Sequence, residues 1–464
     1  MSVDGDPRRA GSIESCDVAV VGGGPAGLSA ALHLARLGAD VILLDEAEEL
    51  GGQYFKRRQG SVLAQHGDFR PEGTSLIAAV RASGVRCWTE CSVWGVGEDE
   101  RTLLVAGPED EPRSVSARAV LVATGGFERS IPFPGWQLPG VVTPGYALHL
   151  ATCDRIPVGQ RAVVAGTGPF LLPVSCALLD VGVEVSAVVE LNRPYRPSLR
   201  AAEALAHPAR LAEFASYRAV LARRKVPLLQ GWQVAEATGS GTVQRVRIEP
   251  VGGHEVGREY DVDALAVAYG FRPATELVRL LGARCEVRQD DLFPRTDGRG
   301  RTTAEGVYVA GESAGIAGVH VARLRGEVAA ASIAADLGLP GAAEPARATL
   351  RRLQRGEAFS AVTANLYPVP ESLVSGLCDR TVICRCEGVT AGQIRAADAV
   401  GWNDRNSVKG ATRAGMGPCQ GRECAPAVAA LCGASGSAEP FPARMPIKPV
   451  PIRVAMGESA EEVS

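Results

Sequence analysis

The stretch that most constrains the fold is Cys16-Asp-Val-Ala-Val-Val-Gly-Gly-Gly-Pro-Ala-Gly27. Its first part is short, apolar and β-branched and is closed by glycine, as a buried parallel strand is. Leu28 to Leu37 follows with apolar residues at helical spacing, and Val41-Ile-Leu-Leu44 reads as a second strand ending in Asp45-Glu46. Together they make a βαβ unit carrying G-x-G-x-x-G. Gly22 permits the tight turn, Gly24 lets backbone approach a pyrophosphate, and Gly27 allows close helix–strand packing. Pro25 and Ala26 open the helix, whose N-terminus would face the phosphates. An acid about 20 residues on can bond a ribose hydroxyl, and Asp45 stands there with Glu46 beside it. A purely structural turn is the bland alternative, but strand, helix, strand and acid are all in register.

The chain continues as a dinucleotide fold would. Leu50-Gly-Gly-Gln53 puts Gly52 and Gln53 where a chain can pass close to the middle of a long dinucleotide, although an ordinary loop turn reads the same way. Arg118 to Gly126 is an apolar strand closed by Ala123-Thr124-Gly125. The prolines of Phe127 to Val141 exclude a long helix, so this segment reads as a connection between domains. A second βαβ unit starts at Arg161 with the loop Gly166-Thr-Gly-Pro-Phe-Leu171. Leu171 replaces the third glycine and should push helix from strand. The next strand, Val183 to Val189, ends in Glu190, which repels an extra 2′-phosphate, while Arg193, Arg196 and Arg200 pull the other way. The loop leaves open NAD(P), another nucleotide, or nothing. Asp263 to Gly270 is a further strand. Val307-Tyr-Val-Ala-Gly-Glu312 delivers Gly311 and Glu312 to where they can contact the ribityl and phosphate part of a flavin. A helix over Val319 to Leu337 follows.

Toward the C-terminus the chemistry changes. Cys384 and Cys386 are answered by Cys419 and Cys424, a C-x-C-x32-C-x4-C spacing. In an extended segment residues i and i+2 point to one side, so Cys384 and Cys386 can share one metal and the later pair another. Gly415, Gly417 and Gly421 let backbone N–H groups approach the sulfurs. A [2Fe–2S] cluster suits this spacing better than a structural zinc, whose cysteines usually come as C-x2-4-C pairs. The chain has twelve cysteines, and six lie between Cys378 and Cys432, which argues for metal chemistry and a reducing compartment rather than a disulfide scaffold. A net charge of −3 gives no electrostatic case for nucleic acid, and the six histidines show neither metal nor triad spacing. The polar first fifteen residues are not followed by an apolar signal region, and no apolar run is long enough to span a bilayer. The expected location is cytoplasmic, with peripheral contact at the inner face of the membrane left open.

These pieces together resemble the two-dinucleotide-binding-domain flavoproteins. Ala123 to Val141 and Val164 to Leu172 are similar to the larger, FAD-containing subunit of hetero-oligomeric flavin-dependent amino-acid and opine dehydrogenases, the group of opine oxidase, D-hydroxyproline dehydrogenase and hydrogen cyanide synthase. Lys409 to Cys424 resembles their bacterioferritin-associated-ferredoxin-like (BFD-like) domain. The resemblance implies FAD held by Gly22, Gly24, Pro25, Ala26, Gly27, Asp45, Glu46, Gly52, Gln53, Ala123, Thr124, Gly125, Gly311 and Glu312. It implies a [2Fe–2S] cluster on Cys384, Cys386, Cys419 and Cys424. It also implies a partner flavoprotein of D-amino-acid-oxidase-like fold that oxidises the substrate. A small ferredoxin-like partner and a second flavin or nucleotide at an interface between subunits are further implications. Glu312 departs from the Asp more usual in this fold.

The expected fold class is α/β, with two nested Rossmann-like domains and a small helical BFD-like domain. The expected boundaries are 13–156 and 261–338 for a split FAD domain, 157–260 for an NAD(P)-like domain, 339–377 for a linker with a helical piece from Ala346 to Glu357, 378–432 for the cluster domain and 433–464 for an extended tail. Three functions compete. One is an electron-transfer subunit fed by a partner. Another is a self-sufficient NAD(P)H oxidoreductase, against which Leu171 stands. The last is a zinc-stapled docking scaffold.

Overall fold

The apolar run that opens the chain forms β1 (Ile13–Val21), and its buried end continues into Gly22 at φ +110°. The computed structural model describes residues 13–55, 70–99, 101–194, 208–252, 256–288, 291–402, 404–432 and 441–457. β2 (Val41–Leu44) and β3 (Arg86–Trp88) lie parallel on one side of β1. β4 (Ser92–Val96) and β5 (Thr102–Ala106) form an antiparallel arm carried on β6 (Pro112–Val122), and β6 lies parallel on the other side of β1. The sheet order is β3-β2-β1-β6-β5-β4, and the return strand Val307–Val309 joins the carboxyl half of β6 in parallel.

Helix α1 (Pro25–Arg36) covers one face with Leu28, Ala30, Ala31 and Leu34 fully buried. The return helix Val319–Asp336 packs against it. Gly326 of that helix meets the Ala26 carbonyl so closely that a side chain would collide. Segments far apart in sequence, starting at Pro25 and at Val319, thus close one domain.

The second sheet is wholly parallel, in the order Leu228–Gln230, Glu184–Glu190, Arg161–Gly166, Ala264–Ala268, Val141–Val142. It therefore reaches outside the 157–260 span expected for it and takes a strand from each flank. Ala264–Ala268 is buried along its whole length, and pairing it with Arg161–Gly166 satisfies its backbone there rather than in the first sheet. A short antiparallel pair, Gly126–Glu128 with Phe271–Pro273, is the hinge through which the chain leaves and re-enters the first domain.

The segment expected as a linker contains a 20-residue helix, Arg347–Leu366, seated on the return helix through Leu353. The cysteine module is a two-stranded hairpin, Val382–Cys384 with Val389–Thr390, and the helices Ala391–Ala399, Arg405–Thr412 and Ala425–Leu431. Thr390 caps the first of these in a reciprocal capping box with Gln393. Of the expected tail, 441–457 falls within the described residues and crosses back over the first domain. Ile447 donates its N–H to the Trp94 carbonyl (2.8 Å) and is buried against the first-domain sheet.

Candidate functional site

The first glycine loop is built around what a side chain would hit. A Cβ on Gly22 would collide with the Ala123 carbonyl, and one on Gly27 with the Gly22 carbonyl. Gly24 differs, because its nearest neighbour is the Cα of Gly52 at 3.8 Å. The space in front of Gly24 is open, and α1 begins there with no side-chain cap and no acid in its first turn. Its first N–H groups are left for an anionic ligand. Gly51 and Gly52 adopt positive φ and bring Leu50 to Gln53 over the loop, with Gly51 N–H donating to the Gly23 carbonyl at 2.8 Å. Gln53 is exposed at the mouth.

Asp45 is buried and holds the loop's shape. Its carboxylate accepts from Gly23 N–H at 2.5 Å and from Ala47 N–H at 2.8 Å. Glu46 faces away. It pairs with Lys448 of the tail at 2.6 Å, so the structure does not bring it into the cradle. Thr124 and Gly125 meet the return motif through Ser313, which is fully buried. Ser313 Oγ accepts from Gly125 N–H at 2.8 Å and lies 3.3 Å from Thr124 Oγ1. Gly311, at φ +71°, lies against Ala26 at the start of α1. Arg325 fixes this turn by donating to the Gly311 carbonyl at 3.0 Å while pairing with Glu357 at 2.9 Å. Glu312 is half-buried and accepts from Gly318 N–H at 3.2 Å, and burial pushes its carboxyl above the usual range. Sequence reasoning missed Ser313 and Arg325. Ser313 stands next to Glu312, and that adjacency is a usable signal, whereas nothing local marks Arg325.

The second glycine loop is occupied by its own chain. Glu190 is buried, and its carboxylate accepts from Thr167 Oγ1 (2.7 Å), Asn192 N–H (2.9 Å) and Gly168 N–H (2.9 Å). Burial raises its carboxyl, with these bonds pulling the other way. The Asn192 amide donates to Thr167 Oγ1 at 2.7 Å and to the Pro368 carbonyl at 3.0 Å, so the segment after the long helix lies over the end of this strand. Phe170 packs edge-on against Phe271 of the hinge at 5.2 Å between centroids. Leu171 is buried and starts the following helix. Arg196 and Arg200 lie outside the described residues.

In the cysteine module the strand ends at Cys384 and Cys386 falls in the turn beyond it. The extended i, i+2 geometry is therefore absent. Cys384 instead lies beside Cys424, and Cys386 beside Cys419. The Cys424 thiol pulls Cys384 down to about 5, opposed by burial and helped by backbone N–H groups of Gly415, Glu387 and Cys386. Gly417 has no room for a side chain against Cys386. Gly415 and Gly421, both at positive φ, make room for the ring of Phe441 from the tail. Among the described residues no group of three Cys, His, Asp or Glu is placed to hold a single ion. Two thiol pairs with N–H donors aimed at sulfur suit a bridged two-iron centre. Trp136 holds the module to the hinge region, donating Nε1–H to the Val382 carbonyl at 2.6 Å beneath the guanidinium of Arg385.

Comparison with known proteins adds to this geometry. The pyridine nucleotide-disulphide oxidoreductase family matches residues 16–326, and the BFD-like [2Fe-2S] binding domain matches residues 382–432. A component of opine oxidase from Agrobacterium tumefaciens is 33% identical over 466 residues, covering 94% of this chain and 90% of the relative. The HcnB component of hydrogen cyanide synthase from Pseudomonas aeruginosa is 33% identical over 432 residues, covering 87% and 90%. The crystal structure of L-proline dehydrogenase from P. horikoshii shares the fold, with a TM-score of 0.67 at 22% identity over 96% of this chain and 80% of that one.

Proposed function

The chain belongs to the pyridine nucleotide-disulphide oxidoreductase family with a BFD-like [2Fe-2S] domain behind it, and from that premise we propose that it is the electron-transfer subunit of a hetero-oligomeric dehydrogenase whose substrate, an amino acid, imino acid or opine, is oxidised in a partner subunit. It is an oxidoreductase that uses FAD and a [2Fe–2S] cluster. FAD can take electrons as a pair and would release them one at a time, which is how a [2Fe–2S] cluster accepts and passes them. Gly24 leaves the space for the FAD pyrophosphate, Gly22 and Gly27 keep the turn and the helix–strand packing close, Asp45 and Ser313 hold the surrounding loops in place, and the four cysteines offer thiolates to iron.

The observation that carries the direction of flow is the second glycine loop. An NAD(P)H site needs an open strand end beside the acid that meets the ribose. Here Glu190 is engaged by Thr167, Gly168 and Asn192, Pro368 lies over Asn192 at the strand end, and Phe170 packs into the hinge. Reducing equivalents then come from elsewhere. The relatives' names support this, since each is one component of an oxidase or synthase with several subunits. Among the described residues no helix is long and apolar enough to cross a membrane.

Mild affinity purification of the native protein, with identification of the co-purifying chains, tests the reading. The expected result is a D-amino-acid-oxidase-like flavoprotein partner, and flavin bleaching when the complex meets an amino acid, imino acid or opine. Isolation as a lone chain that reduces acceptors with NADH would refute it.

A further inference from the structure

Guanidinium groups knit the seam between the first domain and the cysteine module. Asp291 is 5% exposed and accepts from Arg272 Nε at 2.5 Å and also from Arg129. One carboxylate thus faces two guanidiniums. Arg272, itself 7% exposed, reaches on to the carbonyl of Arg422 at 3.4 Å, between Cys419 and Cys424. Arg422 pairs with Glu276 at 3.1 Å and donates to the carbonyls of Cys419 (3.3 Å) and Ile447 (2.5 Å). A small cavity of about 70 Å³ opens beside them, and Arg279, Lys409 and Arg444 complete its charged lining. Lys409 Nζ sits 5.2 Å from the centroid of Phe441, the ring packed under the cluster-loop glycines. Arg272 is the buried cation of this lining, whereas Arg279, Lys409 and Arg422 are half-buried and Arg444 is exposed.

Arg272 is buried and hydrogen-bonded to the loop between Cys419 and Cys424, so its charge is poorly screened by water. That charge lies on the side of the seam facing the cysteine module. A [2Fe–2S] centre on four thiolates is anionic, and becomes more so when it takes an electron. Nearby charge, hydrogen bonding and solvent exposure set the potential of such a centre. We propose that Arg272, supported by Arg422 and Lys409, is a positioning and potential-setting residue that docks the cluster loop onto the first domain and stabilises the reduced cluster. The proposal rests on reading the cysteine module as a [2Fe–2S] electron carrier. It adds a specific role for residues outside both cofactor sites.

The test is an anaerobic redox titration of the full-length holoprotein, followed by electron paramagnetic resonance of the reduced cluster. Arg272→Met removes the charge and leaves Asp291 still paired with Arg129, so no buried carboxylate is orphaned. Its cluster potential should fall, and Lys409→Gln should lower it by less. Arg272→Lys should restore most of the loss, because it keeps the charge. Arg245→Gln, on an exposed strand of the second domain, should leave the potential unmoved. Potentials of Arg272→Met and Lys409→Gln equal to wild type, at full iron and sulfide content, overturn the proposal. Where Arg272→Met fails to assemble, the half-buried Lys409 decides alone. Wild-type protein lacking iron and acid-labile sulfide would instead refute the carrier reading, and chemical assay shows that before any potential is measured.

Discussion

Gly22 and Gly24 look alike in the motif and act differently in the fold. Gly22 touches protein and Gly24 faces open space. Gly24→Val should therefore leave the chain folded and remove FAD, lowering affinity at least about tenfold, roughly 1.4 kcal/mol, as measured by flavin retained after gel filtration. Gly22→Val should lower thermal stability as well, because its side chain would strike the Ala123 carbonyl. Cys419→Ser should abolish acid-labile sulfide while FAD remains, since the glycine cradle and the thiol pairs stand on separate modules. Residues near their partners in sequence were legible from spacing: the glycines and Asp45, which closes on Gly23 across 22 positions inside one βαβ unit. Glu46 was drawn in by adjacency, but the structure turns it out to Lys448, 402 positions away. Ser313 meets Gly125 across 188 positions and Arg272 meets Arg422 across 150, so their roles depend on the assembled tertiary structure.

Elements were legible where periodicity was strong. The opening strand and helix, the return helix and the helix capped by Thr390 were all expected close to where they form. Thr390→Ala should cost about 1 kcal/mol of module stability by removing that cap, visible as an earlier loss of cluster absorbance on heating. Alternation and composition gave no sign that Ala264–Ala268 pairs in the second sheet, because an all-apolar strand fits either core. The tail was expected to be extended, and its partner surface was not in the sequence. Its described part straps the two modules together. Phe441 seats under Gly415 and Gly421, Ile447 seats on the first sheet, and Arg453 pairs with Asp110 at 2.9 Å. Truncation after residue 440 should retain FAD but make the cysteine module sensitive to limited proteolysis. Unchanged cleavage kinetics would show that the strap does not hold the module.

At the scale of the molecule, the two redox modules meet at a seam lined by Arg272, Arg422 and Lys409, and in the proposed reading the second glycine loop is closed to a nicotinamide by its own chain. Leu171 gave the first hint of that closure in the sequence. Glu190, Asn192, Pro368 and Phe170 supply the physical account, and only the folded chain brings them together. The central claim is that electrons enter this chain from a partner and not from NAD(P)H. It is tested most directly by stopped-flow anaerobic mixing of the purified, cofactor-loaded chain with NADH and, separately, NADPH, while the flavin absorption band is followed. The account predicts that the band persists with both nucleotides and that the cluster stays oxidised. Rapid bleaching of the flavin followed by cluster reduction would contradict it.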